Sequence, residues 1–162
     1  RTALGLPEIK NKPAALALMC GLYDLQQLLS GPRLFGVIPE TASMILGFKV
    51  KNDMSNLGDY EYINFISPVH LVNEKWCPAF MTWAEEDIIC AGQGPTMAQA
   101  LADNGIVHET FAAKGLIRNH CYHLMLNMPT AKECMKRCIH FLNTVLKHED
   151  ENEEPIKSDE NK

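Results

Sequence analysis

The fold of this chain is decided by residues 77–89, which read CPAFMTWAEEDII. Within this stretch, residues 79–83 form a short apolar run that begins after a proline and ends at a cluster of acids. An apolar run of this length with such boundaries is typical of a buried strand, although hydrophobic period alone does not separate strand from helix. Asp87 follows the predicted strand closely. Ligand-binding and catalytic groups of open α/β sheets lie at this end of their strands.

Two further apolar runs have the same character. Residues 14–20 follow a proline and stop at a glycine, and residues 106–111 follow an Asn-Gly pair. Between the second and third runs, residues 95–103 place Met97 and Leu101 on one helical face. The order strand, helix, strand predicts parallel strands joined by a covering helix.

The clearest helical pattern in the chain begins after Pro129. Thr130 and Glu133 have the spacing of a capping box. Apolar residues then recur at helical spacing, and they are Met135, Cys138, Ile139, Leu142, Val145 and Leu146. With this last helix, the sequence predicts an α/β fold with a mostly parallel sheet, covering helices and a helical insertion.

The predicted insertion is residues 22–75, which interrupt the alternation of strand and helix. This segment has turn-rich stretches and short helical pieces around residues 39–47. A long excursion between consecutive strands usually lies over the strand ends, where ligands bind. We therefore interpret residues 22–75 as a lid or insertion within a partial domain that spans residues 1–148.

The net charge of −5 is confined to the end of the sequence. Residues 1–148 carry 13 basic and 13 acidic residues, whereas residues 149–162 carry seven acids and two lysines. A neutral body without a basic stripe argues against a nucleic-acid partner. The acidic segment 149–162 is typical of a disordered, solvated tail.

Six cysteines raise the question of disulfides. A chain of 162 residues, 46% of them hydrophobic, has enough core to fold without such cross-links. We therefore expect buried thiols in a reducing compartment, which predicts a cytoplasmic location. The sequence contains no stretch of 18 apolar residues, so no membrane-spanning helix is predicted.

In order and spacing, these segments resemble the C-terminal half of an α/β-hydrolase. The resemblance is to the esterase and lipase branch that includes hormone-sensitive-lipase-like carboxylesterases, and it covers nearly all of residues 12–147. The segments that carry it are Ser67-Pro68, residues 77–81, residues 84–87, residues 95–103, residues 119–122 and Phe141-Leu142. Two positions depart from the family pattern, because Ala84 and Asn119 stand where the family often has glycine.

The resemblance implies that Asp87 is the acid and His120 the general base of a Ser-His-Asp catalytic triad. In such a triad the acid orients the histidine, and the histidine takes the proton of the nucleophile. Glu86 is a rival for the acid and His123 is a rival for the base. The family places its acid three residues after the position of Ala84, and an aromatic residue two positions after the histidine favours His120.

The nucleophile of this fold lies in a G-x-S-x-G turn, and the sequence contains no such motif. Ser30 is the nearest candidate, but it lacks the flanking glycines. We therefore expect the C-terminal portion of a serine hydrolase of small-molecule esters, inactive alone and partnered by a missing N-terminal half of the same fold. The alternatives are a non-catalytic interaction module on a hydrolase scaffold and a peptidase or thioesterase of the same fold.

No cofactor and no metal site are expected. His120, Cys121 and His123 are close in sequence, and Cys134 and Cys138 are four residues apart on a predicted helix. Structural zinc sites prefer paired ligands at tighter spacing. The two helix cysteines instead fall at the spacing of core residues.

Overall fold

A computed structural model of the chain describes residues 12–30, 37–53, 55, 56, 60, 62, 64–115 and 120–152. Its strands form one parallel sheet in the order β1 (Leu16–Met19), β2 (Ala79–Ala84) and β3 (His108–Ala113). The helices are α1 (Leu25–Ser30), α2 (Val37–Leu46), α3 (Gln93–Asp103) and α4 (Pro129–Asn152), with 3₁₀ turns at Pro68–Leu71 and Tyr122–Leu124. The predicted α/β class, with a parallel sheet and covering helices, is confirmed.

The central strand β2 is buried on both faces. Phe80 packs in a cluster with residues of α4, whereas Met81, its neighbour in sequence, packs in a cluster with residues of α3. Successive side chains of a strand point to opposite faces, so a strand covered on both faces must be apolar throughout. This explains why residues 79–83 form a continuous apolar run instead of an alternating one.

Two hydrophobic cores therefore lie on the two faces of the sheet, and a third cluster lies within the insertion. The α4 side contains Cys20, Phe80, Ala84, Ala113, Tyr122, Ala131, Cys134, Cys138 and Phe141. The α3 side contains Tyr23, Ala79, Met81, Met97, Leu101 and Ile106. The insertion buries Leu25, Leu28, Ala42, Leu46 and Val50 against one another.

The buried face of α4 agrees only in part with the one that the sequence predicts, since Cys138, Leu142 and Val145 do pack against the core. Ala131, Cys134, Cys138 and Phe141 are buried, whereas Ile139 and Leu146 are 55% and 41% exposed. The apolar residues of this helix fall on two overlapping stripes, and only the stripe that faces Phe80 meets the sheet. The helix also begins at Pro129, so Thr130 lies in its first turn and is not an N-cap.

The third strand begins two residues later than predicted because of the way α3 ends. Gly105 has a φ of +68°, and its N–H bonds to the carbonyl of Ala102. The N–H of Ile106 bonds to the carbonyl of Leu101. This pair of bonds is a Schellman motif, which accounts for the glycine at this position. Ile106 thus belongs to the helix end, and strand pairing starts at His108.

The remaining boundaries concern the insertion and the acidic segment. Residues 37–46 of the insertion are helical, in agreement with the helical piece predicted around residues 39–47. Helix α4 continues through Asn152, so the first four residues of the segment 149–162 are helical, and residues 153–162 lie outside the described residues. None of the helices in the described part of the chain is long and apolar enough to cross a membrane.

Candidate active site

Asp87 is held in a tight turn immediately after β2. Its N–H bonds to the carbonyl of Ala84 at 3.1 Å, and its side chain is buried. One carboxylate oxygen, Oδ1, accepts the backbone N–H groups of Ile89 at 2.8 Å and Cys90 at 3.0 Å. A buried carboxylate needs such partners to offset its loss of hydration. The turn therefore fixes the carboxylate and leaves Oδ2 to face another group.

That group is His120, which lies in the loop after β3. Its Nδ1 is 2.8 Å from Oδ2 of Asp87. The Asp87 side chain is 1% exposed and the His120 side chain is 25% exposed, so the pair has a buried acid and a solvent-accessible base. Nε2 of His120 makes no hydrogen bond with any described residue. With Nδ1–H donated to the carboxylate, Nε2 is the acceptor of the neutral ring.

The His120 loop is anchored to the sheet by the residue pair Tyr122 and Thr82. Tyr122 is fully buried, and its hydroxyl hydrogen-bonds to Oγ1 of Thr82 on β2. Oγ1 of Thr82 also donates to the carbonyl of Phe111 at 2.8 Å, so the phenol must donate to Thr82. Cys121, between His120 and Tyr122, has a φ of +57°. This left-handed turn lets His120 face Asp87 while Tyr122 points into the core.

The two rival residues of the sequence analysis are placed differently. Glu86 is exposed and makes no hydrogen bond or ion pair with either histidine among the described residues. His123 is buried, and its Nδ1 lies 3.6 Å from Sγ of Cys20. Burial, and then the charge of His120, lower the pKa of His123. The structure therefore brings together Asp87 and His120, and it pairs His123 with a thiol.

Two buried cysteines beside the pair were not singled out by sequence reasoning. Sγ of Cys90 lies 3.7 Å from the carbonyl oxygen of Cys20, at the carboxyl ends of β1 and β2. Burial raises the pKa of the Cys20 thiol to about 11 and that of Cys90 to about 12, and the Asp87 charge acts in the same direction. Both thiols are protonated at neutral pH. No local motif marks Cys90, because its place beside the pair depends on the turn at Asp87.

A buried amide, Gln93, was also missed. Its Oε1 accepts the backbone N–H groups of Tyr23 and Asp24, both at 2.7 Å, and its Nε2 donates to the carbonyl of Asp24 at 3.0 Å and to Oε1 of Gln27 at 3.1 Å. These bonds tie the start of the insertion to the first turn of α3. Because the partners are about 70 residues apart, no local sequence pattern reveals them.

The structure separates the helix cysteines from the potential metal ligands at the site. Cys134 and Cys138 are buried in the core between α4 and the sheet, as their spacing predicted. At the site, one ligand atom each of Asp87, Cys90 and His120 lies within 4.8 Å of the others. None of the six cysteines forms a disulfide.

Comparison with known proteins gives a fold and no family. No family model matches the sequence, and no curated protein does. Among solved structures, an inhibitor complex of esterase B from Lactobacillus rhamnosis is similar with a TM-score of 0.65 and 13% identity over 93% of this chain. An acetyl ester-xyloside bifunctional hydrolase from Caldicellulosiruptor lactoaceticus is similar with a TM-score of 0.59 and 16% identity over 83% of this chain.

These likenesses show that the chain has part of an α/β-hydrolase fold. The matched region is 47% of the esterase B chain and 43% of the bifunctional hydrolase, so this chain spans less than half the length of either. A second inhibitor complex of esterase B gives a TM-score of 0.64 and the same 93% coverage of this chain. The fold that the sequence predicts is thus confirmed.

Proposed function

We propose that this chain supplies the acid and the histidine of a serine ester hydrolase. The observation that carries the proposal is the 2.8 Å contact between Nδ1 of His120 and Oδ2 of Asp87 at the carboxyl end of a parallel sheet. In the proposed reaction, a serine hydroxyl attacks an ester carbonyl and Nε2 of His120 takes its proton. Asp87 holds the ring in the required tautomer and stabilises its charged form.

The serine and the oxyanion hole are proposed to come from a nucleophile-bearing half that is not in the printed sequence, which has no G-x-S-x-G motif. Strand β1 supports this assignment, because β2 is its only partner among the described strands. Leu16 donates its N–H to Pro78, just before β2, and Cys20 donates its N–H to Thr82 of β2. In a parallel strand the N–H groups of Ala17 and Met19 therefore face the other edge. An open edge of this kind is a template for a further strand.

Within the esterases, we propose the carboxylesterase and lipase branch that is similar to hormone-sensitive lipase, with residues 22–75 as its lid or insertion. The proposal rests on the order of segments and on the placement of Asp87 three residues after Ala84. Cytoplasmic location belongs to the same proposal, supported by six cysteines without a disulfide. A small-molecule carboxylic ester is the proposed substrate.

The test uses the full-length protein, meaning this chain together with the proposed nucleophile-bearing half. It measures hydrolysis of a short-chain aryl ester and labelling by a fluorophosphonate that reacts with activated serines. We expect activity and labelling in the unmodified protein and the loss of both in His120→Ala. The matched control is His140→Ala, at an exposed histidine on α4.

Three outcomes would count against the proposal. Activity that survives His120→Ala would remove this residue as the base. Absence of labelling in a folded protein would favour the non-catalytic interaction module. Labelling with cleavage of thioesters or peptides, but not of esters, would favour the thioesterase or peptidase alternative.

A further inference from the structure

A mixed group of potential ligand atoms lies at the carboxyl end of the sheet. One carboxylate oxygen of Asp87, Sγ of Cys90 and one imidazole nitrogen of His120 all lie within 4.8 Å of one another. Among the residues that the structure describes, no other three side chains of histidine, cysteine, aspartate or glutamate approach in this way. Asp87 and Cys90 are buried and His120 reaches solvent, so an ion has a route to the group from the His120 side.

The fold holds these three side chains in place independently of any ion. The turn after β2 joins Asp87 to Cys90 through the hydrogen bond from the Cys90 N–H to Oδ1, at 3.0 Å. His120 is positioned by its neighbour Tyr122, whose hydroxyl bonds to Thr82 on β2. Ligands on rigid, hydrogen-bonded supports are the arrangement that metal sites need.

The donor set selects the kind of ion. A thiolate, an imidazole and a carboxylate together suit zinc, whereas magnesium and calcium take oxygen ligands. In a tetrahedral zinc site with bonds of these types, ligand atoms are separated by roughly 3.3–3.8 Å. With separations of up to 4.8 Å in the structure, the ligand atoms would have to approach one another by at most about 1.5 Å. Three protein ligands leave the fourth position for water.

We propose that Asp87, Cys90 and His120 form a zinc-binding site whose occupation switches off the acid–base pair. Oδ1 of Asp87 is engaged by two backbone N–H groups, which leaves Oδ2 as the carboxylate oxygen for the ion. Zinc replaces the proton of the Cys90 thiol, and that proton leaves to solvent. If Nε2 of His120 binds the ion, its lone pair is taken up by zinc; if Nδ1 binds the ion, the Nδ1 proton moves to Nε2. In both cases His120 has no acceptor for a serine proton.

The binding test needs no substrate and uses the full-length protein. Zn²⁺ is titrated in competition with a chromophoric chelator, and Co²⁺ is titrated as a spectroscopic substitute. We expect one ion per chain and a thiolate-to-cobalt charge-transfer band. Cys90→Ser should abolish the band and weaken Zn²⁺ binding at least about tenfold. Cys77→Ser, at the opposite end of β2, is the matched control and should retain both.

X-ray absorption of the Zn²⁺ complex of the unmodified protein tests the ligand set without any substitution. We expect one sulfur neighbour at about 2.3 Å. A zinc shell of nitrogen and oxygen alone would overturn the proposal, as would failure of the folded protein to bind Zn²⁺. The proposal is also wrong if Cys121→Ser, and not Cys90→Ser, abolishes the cobalt band.

The inhibitory part of the proposal rests on the proposed ester hydrolase function and has its own measurement. Ester hydrolysis is compared with and without Zn²⁺, and then after addition of EDTA. We expect reversible inhibition, with Cys90→Ser shifting the inhibitory Zn²⁺ concentration upward by the factor measured in the binding test. Zinc binding without any ester hydrolysis would refute the hydrolase and leave the metal site standing. Hydrolysis unaffected by bound Zn²⁺ would refute the switch.

Discussion

The two ends of strand β2 differ in what they bury. At the carboxyl end lie Asp87, Cys90 and His123, all buried, together with the partly exposed His120. At the amino end, a shallow groove is lined by apolar and basic side chains, namely Lys12, Pro13, Leu16, Lys75, Trp76, Cys77 and Pro78. One end of the sheet thus concentrates ionisable groups in its interior, and the other keeps them on the surface.

The hydrogen bonds at the carboxyl end offset the cost of burying polar groups there. Burying polar groups is costly unless each has a partner. Among the described residues, no buried side-chain nitrogen or oxygen lacks one. The turn at Asp87 and the Tyr122–Thr82 bond supply these partners. The carboxyl end, with its buried polar groups, is also the end at which we propose the chemistry.

The largest expected difference between the two ends is catalytic. In Asp87→Asn, the amide oxygen can still accept the N–H groups of Ile89 and Cys90, but the carboxylate charge that orients His120 is lost. We expect ester hydrolysis by the full-length protein to fall about ten-thousand-fold. Glu86→Gln, at the exposed neighbouring acid, should retain activity within a factor of about two. Equal losses in the two variants would contradict the assignment of the acid.

The second expected difference is in thiol reactivity. Burial raises the pKa of Cys20 from 9.0 to about 11 and that of Cys90 from 9.0 to about 12. Since the thiolate is the reactive form, both should be alkylated at neutral pH at least about a hundredfold more slowly in the folded protein than in denaturant. Cys77, partly exposed at the amino end, is the internal reference. Mass spectrometry of timed iodoacetamide reactions measures each rate, and equal rates for Cys77 and Cys90 would contradict the burial of the site.

The sequence predicted the parts of the molecule that depend on local pattern. Residues 79–83 form a strand because a short apolar run bounded by proline fits a site covered on both faces. Asp87 was preferred to Glu86 because of the spacing that the family resemblance implies, and its role as the acid stays a prediction. The buried stripe of α4 was predicted only in part: Cys138, Leu142 and Val145 pack against the core, but Ile139 and Leu146 are exposed. Two apolar stripes overlap in its sequence, and only packing against Phe80 selects between them.

The parts that the sequence did not predict depend on contacts between distant residues. Cys20 and His123 are 103 residues apart, and Gln93 contacts Tyr23 across 70 residues. No helical or strand period relates such positions, so each residue in isolation is an ordinary polar or thiol side chain. Cys90 was missed for a different reason, since its position beside the pair depends on the turn in which Asp87 accepts the Cys90 N–H.

One hydrogen bond near each end of β2 should make a smaller difference, in the free energy of unfolding. Tyr122→Phe removes the buried bond to Thr82, and Trp76→Phe removes the bond from Nε1 to the carbonyl of Leu71 at an exposed position. We expect the free energy of unfolding to fall by about 1 kcal/mol for Tyr122→Phe and by about 0.5 kcal/mol or less for Trp76→Phe. Urea denaturation measures both.

Enzyme kinetics of the same two variants show whether the Tyr122 hydroxyl positions His120 or only stabilises the fold. Because Tyr122 positions the His120 loop, kcat should fall in Tyr122→Phe with little change in KM, and Trp76→Phe should change neither. A Tyr122→Phe protein that loses stability but keeps its kcat would show that the hydroxyl stabilises the loop without positioning the base.

The smallest expected effect is a pH dependence of stability that comes from His123. Burial, and then His120, lower the pKa of His123 below its ordinary value of 6.5. Just below pH 6.5 the unfolded chain therefore binds a proton that the folded chain does not, so the free energy of unfolding falls as the pH drops toward the folded-state pKa. Above pH 6.5 this contribution to stability is fully present.

His123→Gln should flatten that part of the profile, whereas His70→Gln, at an exposed side chain, should leave it unchanged. A series of urea denaturations between neutral and acidic pH measures the three profiles. If His123→Gln follows the unmodified protein throughout, the buried histidine at the carboxyl end makes no difference to acid stability, and the contrast between the two ends would then rest on Asp87 and its partners alone.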